Sequence, residues 1–322
     1  MKLKVGTRRS ALAITQTRQT MDTLVARIPG LSYELVEVMT TGDRILDRPL
    51  RDAGGKGLFI KELDEALLDG RVDCAVHSLK DVPSDLADGT IIAAVLQRED
   101  PRDVLVTLDG RTLNDLAEDA VVGTTSLRRA SQLLSIKPSA STRLLRGNIE
   151  TRLRKVVEGE CDATFLAAAG LSRLGLKLSP AHGIVVDPFV FVPAPGQGAV
   201  AITVRESDTA VAAAIGSVNH AATRAAVEAE RAFARVFGGG CHLPLAAYAQ
   251  VDGDSGSEVR LVGVLLTADG KRMMRDETRG PSSQAAALGA SLGRAFLERG
   301  GGAFLEAAEA DAATSPSREG GA

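Results

Sequence analysis

Strand-like and helix-like segments alternate along the first two thirds of the chain, and the alternation occurs twice. The first run has a strand near residues 3–5, an amphipathic helix over about 10–27 and a strand over 33–39. A polar hinge at 98–102 separates it from a second run of the same kind. Such alternation places helices against a largely parallel or mixed sheet, so the sequence predicts two successive α/β domains.

The last third of the chain follows a different pattern. A segment rich in proline and glycine, 188–198, predicts a crossing between domains, and the strand-like residues 200–204 after it are expected to return to the first sheet. From about His220 a helix, three strand-like segments and a second helix predict a small α+β domain. We therefore predict a first α/β domain (1–98 with 198–217), a second (102–193), an α+β domain (220–308) and a disordered tail (311–322).

Charge and cysteine content exclude several classes of protein. The net charge is −3, from 38 basic and 41 acidic residues among 322, so no bulk positive field favours nucleic acid. The N-terminal segment turns polar where a secretory signal requires an apolar run, and no stretch reaches membrane-spanning length. The expectation is a cytoplasmic protein. Three widely spaced cysteines indicate neither a disulfide framework nor a zinc site.

Four short segments share one design, in which a strand ends in glycine or hydroxyl residues and a basic side chain follows. They are the segments that start at Gly6, Gly54, Gly123 and Arg146. Free amides at a helix start favour an anion, and a nearby guanidinium binds a carboxylate in bidentate fashion. The alternative for any one of them is a plain N-cap, Ser10 or Ser126 for example, beside surface arginines.

Two further segments contain residues suited to chemistry. Asp81 and Lys80 follow a buried-looking strand, where an aspartate can act as acid or base, although a loop or capping role is the simpler interpretation. Cys241 follows three glycines, which predicts an exposed loop and a reactive thiol. Cys74 and Cys161 lie in apolar strands and are expected to be buried and inert.

Ten stretches in order together resemble the porphobilinogen deaminase family, also called hydroxymethylbilane synthase, along nearly the whole chain except the tail. They are GTRRSALA, TTGDRI, GGKGLFIKEL, AVHSLKDVP, REDPRD, GTTSLRR, LRGNIETRL, AAAGLSRLGL, PGQGA and GGGCHLP. The resemblance implies a three-domain fold whose first two domains are like periplasmic binding proteins. It also implies a transferase of haem and tetrapyrrole biosynthesis, which deaminates four porphobilinogen molecules, joins them head to tail and releases hydroxymethylbilane by hydrolysis.

The same resemblance implies roles for individual residues. A dipyrromethane cofactor, bound through a thioether to Cys241, would prime the chain, and Asp81 would assist loss of ammonia and stabilise positive charge on pyrrole nitrogens. Each pyrrole ring carries an acetate and a propionate, which explains a need for many cationic side chains. The positions implied for binding cofactor or substrate are Arg8, Ser10, Lys56, Phe59, Ser78, Lys80, Thr124, Thr125, Ser126, Arg128, Arg129, Arg146, Gly147, Arg152, Arg173 and Gln197. Some members carry a basic residue where this chain has Asp52, so an anion contact there is not transferred.

Two other readings compete with this one. Two α/β lobes around an anion-binding cleft also describe a solute-binding or effector-sensing module for a small anionic ligand, which would have no use for Cys241. A transferase with a simple cysteinyl intermediate would use Cys241 but would not need so many arginines. The resemblance favours a monomer that binds porphobilinogen, needs no metal, nucleic acid or membrane, and passes its product to the next enzyme of the pathway.

Overall fold

The structure is a computed structural model that describes residues 1–44, 59–239, 243–252 and 257–314. Lys56 and Cys241, both named above as site residues, lie outside the described residues, as do Asp52 and the glycines of the segment that starts at Gly54.

The first domain is built on a five-stranded mixed sheet. Its strands are β1 (Lys2–Arg8), β2 (Ser32–Val38), β3 (Cys74–Ser78), β4 (Thr90–Val95) and β10 (Val200–Arg205). Their order is β2-β1-β3-β10-β4. Strand β1 runs parallel to β2 and β3, whereas β10 is antiparallel to β3 and β4. The residues after the interdomain crossing therefore do return to the first sheet.

Helices cover both faces of this sheet. Helices α1 (Ala11–Arg27) and α7 (Thr209–Gly216) pack on one face, where Met21 and Ile215 join the core that contains Val5 and Ile202. The short α2 (Thr41–Arg44) precedes α3 (Lys61–Leu68), which packs on the opposite face. A strand that is covered on both faces of a sheet needs residues suited to burial on each face. Strand β3 fits this requirement, because its first four residues are all buried.

The second domain repeats this plan with its own five-stranded sheet, in the order β7-β6-β8-β5-β9. The strands are β5 (Asp103–Thr107), β6 (Val121–Gly123), β7 (Ser141–Arg143), β8 (Ala163–Ala167) and β9 (His182–Val185). The helices are α4 (Leu127–Ile136), α5 (Ile149–Val157) and α6 (Ala168–Leu174). Both sheets are mixed, as the alternation predicts.

The third domain places helices on one face of an antiparallel three-stranded sheet, β11-β12-β13. Its strands are β11 (Leu245–Asp252), β12 (Glu258–Leu266) and β13 (Met273–Pro281), and its helices are α8 (Ala221–Val236), α9 (Ala285–Phe296) and α10 (Gly302–Thr314). Phe233 contacts Phe237 and Phe296 edge to face, with ring centroids 5.3 and 5.2 Å apart. The predicted fold class, two α/β domains and a small α+β domain, is confirmed.

The last helix overlaps the start of the predicted tail. Residue 311 lies inside α10, which continues to Thr314. The domain limits and the tail stay predictions.

Two glycines let the crossing between the domains pass close to the hinge. Gly196 and Gly198 have φ values of 76° and 85°, which side chains rarely adopt. A Cβ on Gly198 would approach the carbonyl oxygen of Glu99 to 2.5 Å, and one on Gly196 would meet the backbone of Lys80 at 3.2 Å. The crossing thus contacts both the hinge and the segment that carries Asp81.

Candidate active site

Two neighbouring parallel strands of the first domain bring Arg8 and Asp81 together. Arg8 ends β1, and Asp81 ends the short 3-10 turn Leu79–Asp81 that follows β3. Because β1 and β3 are adjacent and parallel, both residues lie at the same edge of the sheet. Nη1 of Arg8 lies 3.8 Å from Oδ2 of Asp81, and about a third (34%) of the Asp81 side chain is exposed.

Lys80 adds a second cation beside Asp81. The residue is exposed to solvent, yet protein surrounds its ammonium closely enough to lower its pKa to about 8, with desolvation as the main cause. The Asp81 carboxylate opposes this shift, and the charges of Arg128, Arg129 and Asp103 also act on Lys80. Lys80 therefore faces charged groups of the second domain.

Ser10 and Ser126 are the N-caps of α1 and α4, which is the simpler of the two interpretations given above. Ser126 accepts from the amide of Arg129 at 3.4 Å, and Ser10 accepts from the amide of Ala13 at 3.2 Å. Thr124 is buried and accepts from the amide of Ser126, whereas Thr125 is exposed. The hydroxyl hydrogens of Ser10 and Ser126 still provide donors at these strand ends.

Arg128 and Arg129 are buried and bound to a carboxylate that the sequence reasoning missed. Asp103, at the start of β5, lies 2.8 Å from Nη2 of Arg128 and 2.6 Å from Nη2 of Arg129. Burial alone would raise the pKa of Asp103, but the two guanidiniums and the Gln197 amide hold it well below its ordinary range. The two arginines are thus rigidly oriented and already share one full negative charge. The only signal was an aspartate at the first position of an apolar strand, within the stretch REDPRD.

Arg152 lies near the positive charges of Arg129 and Arg146. The pKa of Arg152 is lowered to about 10, first by burial and then by the positive charges of Arg129 and Arg146. Its side chain donates to the carbonyl oxygen of Gly147 at 3.0 Å, and no carboxylate of the described residues lies within ion-pair distance of it. A carboxylate ligand would relieve the repulsion among these guanidiniums.

Arg173 of the second domain reaches the first domain through a residue that the sequence reasoning also missed. Gln16, buried in α1, accepts from Nη1 of Arg173 at 2.9 Å and from the hydroxyl of Ser78 at 3.0 Å. Nη2 of Arg173 donates to the carbonyl oxygen of Gly198 at 2.8 Å. Arg173 and Ser78 therefore join the lobes at the crossing, and a polar position on an amphipathic helix gave no sign of this.

Gln197 is buried under the same cluster. Its side-chain amide donates to the carbonyl oxygen of Pro101 at 2.7 Å and to Oδ1 of Asp103 at 3.0 Å. It orients Asp103 from the crossing segment.

The third domain contacts the segment that follows Asp81. Arg231 on α8 donates to the carbonyl oxygens of Val82 and Pro83 at 2.8 and 2.6 Å. Gly239, three residues after the end of α8, is close enough to Ser84 that a Cβ there would lie 3.5 Å from the Ser84 hydroxyl. The last described residues after α8 therefore lie beside the segment that follows Asp81.

Three further residues have structural roles: the two buried cysteines predicted above and His77 in β3. Cys74 and Cys161 are buried, as predicted, and burial raises the pKa of the Cys74 thiol to about 12. His77 bonds to the hydroxyl of Thr203 at 2.8 Å, and burial lowers its pKa to about 4, so it is neutral. Within the described ranges, no group of three or more histidine, cysteine or acidic side chains could hold a metal. Nor does any described helix combine the length and apolar character needed to cross a membrane.

Two family models match the sequence of the chain. Residues 3–213 match the family model described as "Porphobilinogen deaminase, dipyromethane cofactor binding domain", and residues 224–298 match "Porphobilinogen deaminase, C-terminal domain". The chain belongs to the porphobilinogen deaminase family. The first matched domain, residues 3–213, is the domain that binds the dipyrromethane cofactor.

Relatives in this family match almost from end to end. Porphobilinogen deaminase of Brevibacillus brevis is 46% identical over 304 residues, which is 94% of this chain and 96% of that protein. The Bordetella parapertussis porphobilinogen deaminase is 48% identical, over 94% of this chain and 95% of its own length. A solved structure, the VFT2 domain of BvgS from Bordetella pertussis, is 16% identical with a TM-score of 0.42, and the match covers 67% of this chain and 86% of that one. The solute-binding alternative gains nothing comparable.

Proposed function

We propose that Asp81 is the catalytic carboxylate of a porphobilinogen deaminase that joins four porphobilinogen molecules head to tail and releases hydroxymethylbilane. One observation supports this role above the others. The Asp81 carboxylate is partly exposed beside Arg8 and Lys80, yet it receives no hydrogen bond from any residue in the described ranges. Its oxygens are open to a substrate.

The chemistry requires a fixed negative charge beside a transient cation. When ammonia leaves the aminomethyl group of porphobilinogen, positive charge develops on the pyrrole nitrogen. A carboxylate held at hydrogen-bond distance from that nitrogen stabilises the charge without reorganising. Lys80, with its pKa near the physiological range, can hold a proton or bind an anion next to Asp81.

The arginines bind the acetate and propionate side chains in this proposal. Arg152 offers a guanidinium that forms no ion pair with a carboxylate of the described residues, and Arg146 and Gly147 lie beside it. Arg128 and Arg129, fixed by Asp103, present their remaining N–H groups in a set direction. Further contacts in this proposal come from Arg8, Ser10, Phe59, Ser78, Thr124, Thr125, Ser126, Arg173 and Gln197, and from Lys56, which lies outside the described residues.

The same residues fit a dipyrromethane, which carries four carboxylates. Clustered guanidiniums that lower one another's pKa are the setting such an anion requires. We assign Cys241 as its thioether attachment, as the resemblance to the family implies, and Gly239, two residues before it, lies beside Ser84 of the segment that follows Asp81. When bound, the dipyrromethane supplies the pyrrole position to which the first substrate ring is joined.

The intact mass of protein purified without added ligand tests this proposal. We expect an excess equal to two deaminated porphobilinogen units, on the peptide that contains Cys241, and colour with a pyrrole reagent. Cys241→Ser should remove the excess, whereas Cys161→Ala, at a buried cysteine, should retain it. Active protein of unmodified mass would refute the proposal.

We further infer that the enzyme works as a monomer in the cytoplasm and passes hydroxymethylbilane to the next enzyme of the pathway. Molar mass in solution, measured by light scattering on the cofactor-loaded protein, tests the first point. A dimer at micromolar concentration would contradict it.

A further inference from the structure

Arg8 stands between two carboxylates that it contacts unequally. Its Nη2 lies 2.5 Å from Oδ1 of Asp43, and its Nε lies 3.2 and 3.3 Å from the two oxygens of the same carboxylate. Its Nη1 is 3.8 Å from Asp81. Arg8 is therefore bound to Asp43 in bidentate fashion and only approaches Asp81.

Asp43 is itself firmly held. The hydroxyl of the fully buried Thr40 donates to Oδ2 of Asp43 at 2.7 Å, and the Asp43 amide donates back to the Thr40 carbonyl oxygen at 3.1 Å. Burial alone would raise the pKa of Asp43, but the bonds from Arg8 and Thr40 lower it below its ordinary value. Asp43 thus carries a full charge at neutral pH.

The guanidinium of Arg8 is fixed from a second side by an aromatic ring. Its central carbon lies 4.0 Å from the centroid of Phe59. The ring needs a glycine beneath it, because a Cβ on Gly42 would lie 2.3 Å from Phe59 Cε1. The stretch TTGDRI therefore supplies both the space for Phe59 and the carboxylate for Arg8.

We propose that Asp43 is a positioning residue that holds Arg8 away from Asp81 and so keeps the Asp81 carboxylate available to the substrate. A guanidinium pairs with the nearest carboxylate that can accept its forked donors, and after Asp43 that group is Asp81. A bidentate Arg8–Asp81 pair would occupy both oxygens of Asp81. It would also cancel the negative charge where the substrate cation forms. The inference rests on the proposed role of Asp81 in catalysis.

The test is the kinetics of Asp43→Asn in the cofactor-loaded enzyme, with activity normalised to the bound pyrrole content. We expect kcat to fall about tenfold, as for loss of one charge-assisted bond, while KM changes less than about threefold because Arg8 keeps its charge. Asp43→Glu should recover most of kcat. Asp69→Asn is the matched control: it breaks an exposed aspartate–arginine pair of the same domain, with Arg71 at 2.7 Å, and should leave kcat unchanged.

A double variant distinguishes a positioning role of Asp43 from a loss of activity caused by a disturbed structure. If Arg8 captures Asp81, Arg8→Gln should raise kcat in the Asp43→Asn background, although KM rises because a carboxylate-binding group is lost. A crystal structure of Asp43→Asn should show Arg8 in direct contact with Asp81. If Asp43→Asn does not fold, Thr40→Val decides, since it loosens Asp43 and should lower kcat about threefold.

Three results would each overturn the inference. They are an unchanged kcat in both Asp43→Asn and Thr40→Val, an unaltered position of Arg8 in Asp43→Asn, and a further fall of kcat in the double variant. Failure of the underlying role of Asp81 looks different, because Asp81→Asn would then keep near-normal turnover.

Discussion

The carboxylate of Asp103 lies 2.6 Å from Nη2 of Arg129, and the two side chains are 0% and 9% exposed. Oδ1 of Asp103 accepts from Nε and Nη2 of Arg129, and Nη2 of Arg128 lies 2.8 Å from its Oδ2. Two further bonds fix the arginines, to the carbonyl oxygens of Phe165 and Val192. The stability of the second domain and the orientation of its cations therefore depend on one buried charge.

Asp103→Asn should destabilise the protein strongly. Removing one partner of a buried ionic group leaves the other charges without compensation, at a cost of about 3–5 kcal/mol in the free energy of unfolding. Urea unfolding measures this change in the free energy of unfolding, and Asp100→Asn is the control. Asp100 pairs with Arg102 at 2.6 Å on the surface, and its loss should cost less than about 1 kcal/mol. Equal losses in the two variants would show that burial of Asp103 has no special weight.

Arg152→Gln should separate function from stability. The side chain loses one bond to Gly147 and is relieved of repulsion from Arg129 and Arg146, so the free energy of unfolding should change by less than about 0.5 kcal/mol. Loss of a charged hydrogen bond to a substrate carboxylate should raise KM about tenfold or more. Arg154→Gln, on the exposed side of the same helix, is the control. A KM equal to wild type would remove Arg152 from substrate binding.

Gly198→Ala should disturb the crossing between the domains. Its φ of 85° disfavours a side chain, and the new Cβ would lie 2.5 Å from the Glu99 carbonyl oxygen. We expect a loss of at least about 1–3 kcal/mol, together with lower activity, because the adjacent Gln197 orients Asp103. Gly302→Ala, in α10 with open space around it, should be neutral or stabilising in the same thermal melts. If both variants melt like wild type, the crossing tolerates a side chain.

Periodicity along the chain was enough to predict the sheets and most helices. The alternation of apolar strands with amphipathic helices is a local property, and strand ends such as that at Arg8 mark functional edges in any α/β fold. The resemblance added the role of Cys241 as cofactor attachment and the direction of the chemistry.

The partners of the site residues could not be predicted in the same way. Asp43, Asp103 and Gln16 act through contacts with residues 35, 25 or 157 positions away, which no local pattern encodes. Arg128 and Arg129 resembled free anion-binding cations in sequence, but the fold gives them a buried carboxylate. A sequence shows which side chains are charged, whereas tertiary packing decides which charges are already balanced.

His77 should make the protein less stable in weak acid. Burial lowers its pKa to about 4 in the folded state, below the value of about 6.5 in an unfolded chain. Between these pH values the unfolded chain binds a proton that the folded protein does not, so stability falls as the pH drops from about 6.5 to 4, by about 3 kcal/mol in all. His77→Gln should flatten this part of the profile in urea unfolding, whereas His182→Gln, at an exposed position, should not. A wild-type profile unchanged in His77→Gln would contradict the assignment.

Asp81→Asn should abolish most turnover while the protein stays folded. The carboxylate is 34% exposed and makes no hydrogen bond within the described ranges, so its loss should cost little stability. Removal of a charge that stabilises the developing cation should lower kcat by about 10²–10⁴-fold. Asp85→Asn provides the control: it lies in the same loop, 75% exposed and paired with Arg235 at 3.0 Å, and should keep wild-type kcat. The assay is hydroxymethylbilane formation per bound pyrrole, with intact mass confirming whether the covalent cofactor persists. Near-normal turnover of Asp81→Asn would exclude Asp81 from the chemistry, and a loss equal to that of Asp85→Asn would assign the effect to the loop.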